Sequence, residues 1–145
     1  MNISKSIGLQ GLLGIGLSLL LFACSENGDP PKPEDRFLGT YRMTEQCSGD
    51  RDSYTLSIAR SGNRLEVTNL FNVGERSAAY VNSRDELVIS STYFGDQGNC
   101  KLYIEDARGT LSGSTLSIVF DIGTGSTLQL GCNSFSTSCI AEGSK

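Results

Sequence analysis

The chain has 145 residues, among them 17 glycines and five cysteines, with no histidine and no tryptophan. That length suits a single domain, and a glycine share of about 12%, against roughly 7% in an average protein, favours frequent turns over long helices. The lack of histidine excludes Ser–His and Cys–His pairs and imidazole-based zinc sites, and a formal charge of −4 argues against nucleic acid as a partner.

The N-terminus has one cation, Lys5, followed by an apolar run from Ile7 to Ala23 that is broken by Gln10, Ser18 and four glycines. A short positive region followed by a run of this length is the layout of a secretory signal, and the run is short for a membrane span of about 20 residues. The run leads into Leu21-Phe22-Ala23-Cys24. Residues 25–36 follow, holding all three prolines and no other apolar side chain. Such a segment buries too little surface to offset its ordering entropy and reads as an extended tether.

Leu21, Ala23 and Cys24 resemble the lipobox of bacterial lipoproteins. The resemblance implies cleavage before Cys24 and acyl chains, such as palmitate, on its sulfur and its new amino group. Several chains, at about 0.8 kcal/mol per buried CH₂, make a lasting anchor. It divides the chain into signal peptide (1–23), acylated cysteine and tether (24–36) and folded domain (37–145). Removal of the signal takes away only Lys5 and leaves a formal charge of −5. Ser25 after the cysteine resembles lipoproteins sent to the outer membrane, and Glu26 and Asp29 resemble the surface-export signals of Bacteroidota lipoproteins. The expected location is the bacterial outer membrane, on its periplasmic or its outer face.

From Phe37 onward the apolar residues recur with period two, the pattern of half-buried strands. Tyr41 and Met43 alternate with Thr40, Arg42 and Thr44, and Tyr54, Leu56 and Ile58 with Thr55, Ser57 and Ala59. Leu65 and Val67, then Leu102 and Ile104, continue the pattern, and Leu116, Ile118, Phe120 and Ile122 give its longest stretch. Turn residues separate these runs at Ser61-Gly62-Asn63, Asn82–Asp85 and Ser112-Gly113-Ser114. The expected fold is all-β: an antiparallel up-and-down meander of about eight strands, closed or nearly closed into a barrel, because closure removes aggregation-prone edges.

Gly39-Thr40-Tyr41 at the first strand is similar to the lipocalin Gly-x-Trp motif with tyrosine in place of tryptophan. Gly109–Leu116 resembles a hairpin, and Asn69–Asn72 a loop, of small lipocalin-like lipoproteins of Bacteroidota. That resemblance implies a tethered barrel.

Set aside Cys24, and four cysteines remain: Cys47, Cys100, Cys132 and Cys139. In an exported protein an even set reads as two disulfides, with three possible connectivities. Closing the meander makes its first and last strands neighbours, which favours Cys47–Cys139 with Cys100–Cys132 over Cys132–Cys139 with Cys47–Cys100. No Cys-x-x-Cys pair supports a metal site.

Asp50 and Asp52 could begin a calcium site, but two carboxylates fall short of the six or more oxygens needed and read as a polar turn. Glu105-Asp106 and Asp85-Glu86 are candidate acid–base pairs with no spacing that fixes them across a substrate. No Gly-x-Ser-x-Gly elbow occurs. No enzyme activity and no cofactor are expected. Phe71, Tyr93, Phe94 and Phe135 fall in or near loops, where aromatics either contact a ligand or partner or plug a barrel end. The expected function is a binding module for a glycan, a small apolar molecule or an envelope protein, held to the bilayer through Cys24. One alternative is an inhibitor of a lysozyme- or protease-type hydrolase, since Ser48-Gly49 ahead of Tyr54 resembles a loop of barrel-shaped lysozyme-inhibitor lipoproteins. The other is a purely structural envelope protein.

Overall fold

In the computed structural model, residues 32–124, 132 and 135–145 are described. The expected signal peptide, Cys24 and the tether as far as Pro31 lie outside the described residues. Nine strands follow one another: β1 (Gly39–Cys47), β2 (Asp50–Ser61), β3 (Arg64–Thr68), β4 (Arg76–Val81), β5 (Leu87–Ile89), β6 (Thr92–Gln97), β7 (Cys100–Ser112), β8 (Thr115–Gly123) and β9 (Ser136–Ser144). Each pairs antiparallel with its sequence neighbour except β5 with β6, and β1 also pairs with β9. A short β5–β7 pairing, Leu87↔Gly109 and Val88↔Arg108, closes the ring. The result is the expected all-β closed barrel of eight strands, with β6 as one extra strand.

β7 explains the extra strand. Its first half pairs with β6 and its second half with β5, and a bulge between Glu105 and Arg108 separates the two. Asp106 sits there at φ 51°, in the left-handed region. Beside this split, β4 meets the following segment through the Ser90 N–H donating to the Ala78 carbonyl at 2.8 Å and a buried Ser77–Thr92 hydroxyl pair.

Alternating side chains fill the interior. Tyr41, Met43, Leu56, Ile58, Leu65, Val67, Leu87, Ile104, Leu116, Ile118, Phe120 and Ala141 are all buried in one core. Gly143 on β9 has no room for a side chain, since a Cβ there would lie 2.2 Å from the Arg42 carbonyl oxygen. The β1–β9 seam therefore closes tightly at that point.

The two barrel ends differ. At one end, which we call the closed end, Pro33–Phe37 forms a 3-10 turn of helix beneath the barrel. Residues 33–36 of it belong to the stretch expected to be extended tether. They fold back because Phe37 is wholly buried and its carbonyl accepts the Tyr41 hydroxyl proton at 2.8 Å. Arg36 pairs with Asp85 at 2.6 Å, Arg60 with Asp35, and Lys145 Nζ donates to the Arg36 carbonyl at 2.8 Å. Asp35's carboxyl is held below its usual range, chiefly by Arg60. Burial pushes Tyr41's hydroxyl up to about 12.

Candidate functional site: the open mouth of the barrel

The opposite end is bounded by the β1–β2 turn and the β3–β4 loop, and its strand ends carry Cys47, Asp50, Thr68 and Gly123. A recess of about 320 Å³ opens there, lined by Glu45, Cys47, Ser48, Asp50, Arg51, Asp52, Phe71 and Ile122. That volume is at the small end of the range for small-molecule sites.

Strand parity builds its acidic wall. Tyr41 and Met43 face inward, so Glu45 and Cys47, two and four residues further along β1, do the same. On β2, Asp50 and Asp52 share the parity of inward-facing Tyr54, and register sets Glu45 opposite Asp52 and Cys47 opposite Asp50. Like charges directly opposed across two strands are unfavourable. Asp52 has support: its carboxylate accepts the Ser53 N–H at 2.7 Å and the Asn72 side-chain amide at 3.1 Å.

Glu45 has much less. Its side chain is 5% exposed, and Oε2 is buried with no hydrogen-bond partner. Oε1 lies 3.7 Å from Cys47 Sγ, a disulfide sulfur that carries no proton to donate. No ion pair among the described residues includes Glu45. Burial pushes its carboxyl above the usual range, the Tyr54 hydroxyl opposes that shift, and the charge of Asp52 adds to it. Tyr54's hydroxyl is itself raised, mainly by burial and then by the charge of Glu45.

The apolar wall comes from Phe71 and Ile122. Phe71 lies in a 3-10 turn, Leu70–Asn72, and has φ 60° and ψ 24°, an uncommon conformation for a bulky residue. Its N–H donates to the Tyr54 hydroxyl at 3.3 Å, and its ring meets Phe94 and Phe120 edge-on, with centroids 5.4 and 5.9 Å away. Asn69 supports the loop by donating to the Thr55 carbonyl and accepting the Gly74 N–H, both at 2.8 Å.

Disulfides brace this end. Cys47 and Cys139 are direct partners across β1 and β9, with Cα atoms 4.5 Å apart. Cys100, at the start of β7, is joined to Cys132.

The four aromatic candidates separate into two pairs. Phe71 and Phe94 meet at the mouth. Tyr93 points outward from β6 against Tyr103, at 5.8 Å, and Phe135, 43% exposed, sits just before β9. The carboxylate pairs do not converge on the recess either: Asp85 serves the closed end, and Glu105 and Asp106 flank the β7 bulge. Glu45 is not among the residues that the sequence singles out. Extending the Tyr41–Met43 alternation by one step would have found it.

Among the described residues, no group of three or more Cys, Asp or Glu is placed to hold a metal ion. No family model, no curated protein and no solved structure matches this chain.

Proposed function

We propose that the protein is an envelope lipoprotein, anchored through acylated Cys24, whose barrel mouth binds a small molecule. One observation carries the binding half: a buried carboxyl with an unpartnered oxygen stands in a recess that also has an apolar wall. A buried polar atom without a partner costs free energy, and a ligand that pairs with it recovers that cost. The anchoring half rests on the lipobox resemblance and on two disulfides, which persist in oxidising compartments.

The two halves fit together spatially. The described chain enters at the closed end, at Lys32. Eight residue steps separate Cys24 from Lys32, at most about 28 Å of extended chain. On this reading the anchored Cys24 lies within that reach of the closed end.

Mass spectrometry of the protein purified from envelopes tests both halves. The N-terminal residue should be Cys24 carrying acyl chains; an unmodified Cys24 or a different N-terminus overturns the anchor. Under native conditions a small molecule should accompany the protein at equal stoichiometry and be missing from Ile122→Trp, which fills the recess. Equal ligand content in the two proteins overturns binding at the mouth.

A further inference from the structure

We infer that the recess takes a small organic cation, a primary ammonium on an apolar body, with the ammonium on Glu45 and the body against Phe71 and Ile122. The inference rests on the binding reading above and supplies the chemical class of the ligand.

Three observations lead to a cation. First, Glu45 Oε2 is buried without a partner, and an acceptor in that state calls for a donor. Second, Glu45 and Asp52 are cross-strand partners, with Asp50 two register pairs further out on the same face. A positive group between them offsets a repulsion that neutral donors leave in place. Third, the described residues do not place a positive group there. Arg51 is the one cation along the recess among the described residues, and its register partner is the outward-facing Gln46. The segment 125–134, which connects β8 to β9, contains no lysine or arginine in its sequence.

Two further observations specify the rest of the ligand. Phe71, braced edge-on by Phe94 and Phe120, and Ile122 give an apolar surface beside the carboxylates. An ammonium on an apolar stem satisfies both walls at once. The described acidic groups are not arranged to ligate a metal ion, so an organic cation suits them better than a divalent metal.

The test uses three probes of one shape and different charge: 2-phenylethylammonium, 2-phenylethanol and 3-phenylpropanoate. Each is titrated calorimetrically into the acylated protein in nanodiscs, with protein-free nanodiscs as the blank. The ammonium should bind at least about tenfold more tightly than the alcohol, and the carboxylate should show no binding. Glu45→Gln should remove most of that tenfold preference while changing the alcohol's affinity less than about twofold. Asp52→Asn, which leaves the buried carboxyl in place, should have a smaller effect of the same sign. Equal affinity for ammonium and alcohol overturns the cation, as does an equal loss of both in Glu45→Gln. A ligand lost from Ile122→Trp in the native spectra would still support binding at the mouth in that case. Failure of all three probes overturns the cation; equal ligand content in those spectra separately overturns binding at the mouth.

Discussion

The two ends of this barrel are made from the same strands and handle charge in opposite ways. At the closed end Arg36, Arg60, Asp35 and Asp85 are paired, and the Tyr41 hydroxyl reaches the Phe37 carbonyl. At the mouth three carboxylates share one wall, the innermost has an oxygen with no partner, and Phe71 is held in a left-handed conformation. Both disulfides brace the mouth side, and neither reaches the closed end. The closed end is built for stability. The mouth combines a buried carboxyl oxygen without a partner and a bulky residue in the left-handed region, the two features on which the proposed binding rests.

Substitutions that alter one end at a time can break or sharpen this comparison. The largest effect is expected from Cys47→Ser combined with Cys139→Ser. The bridge spans 92 residues, and on the chain-entropy model its loss costs about 4–5 kcal/mol, read as a lower denaturant midpoint. Phe37→Ala should cost about 3–5 kcal/mol by leaving a cavity beneath the barrel, with ammonium binding unchanged in the molecules that remain folded. A loss of binding at full folding would show that the ends are not independent.

Glu45→Leu should move stability the other way. Removing a buried carboxyl with an unpartnered oxygen is expected to raise the unfolding free energy by about 1–3 kcal/mol at pH 7 while removing the ammonium preference. The pH dependence has a definite sign. Folding raises this carboxyl's pKa, so the folded protein holds the proton more tightly than the unfolded chain. The cost of the charge is absent below the unfolded value near 4.5, grows as pH rises from there towards the raised folded value, and levels off above it. The advantage of the leucine variant should therefore shrink on acidification towards pH 4. The smallest effect belongs to Arg36→Ala. Its ion pair with Asp85 is well exposed at 38% and 56%, and its loss should cost no more than about 1 kcal/mol in thermal unfolding.

Much of the fold was legible because period-two alternation reports directly on which face is buried. Leu116, Ile118 and Phe120 line the core as that pattern requires. Closure of the meander brings Cys47 opposite Cys139, which follows once the first and last strands are neighbours. The division of β7 between β5 and β6 was not legible. It depends on a bulge whose left-handed residue is Asp106 rather than glycine, so no local signal marks it. The docking of Pro33–Phe37 was hidden by composition, since its polar residues are held by tertiary ion pairs with Asp85 and Arg60. At the mouth, Phe71 and Phe94 were visible as loop aromatics. Glu45 was not, because its position on the inner face conflicts with the ordinary preference of glutamate for water.

The most direct test compares the two ends in one experiment. Hydrogen exchange is followed by mass spectrometry on the nanodisc-anchored protein, without 2-phenylethylammonium and with it at the Kd of the unsubstituted protein. Added protection is expected in peptides covering Glu45–Asp52 and Leu70–Asn72, none specific to Phe37–Tyr41, and several-fold less of it in Glu45→Gln at the same concentration. Protection centred on the closed end, or equal protection at the mouth in Glu45→Gln, would contradict the binding of a cation at the mouth.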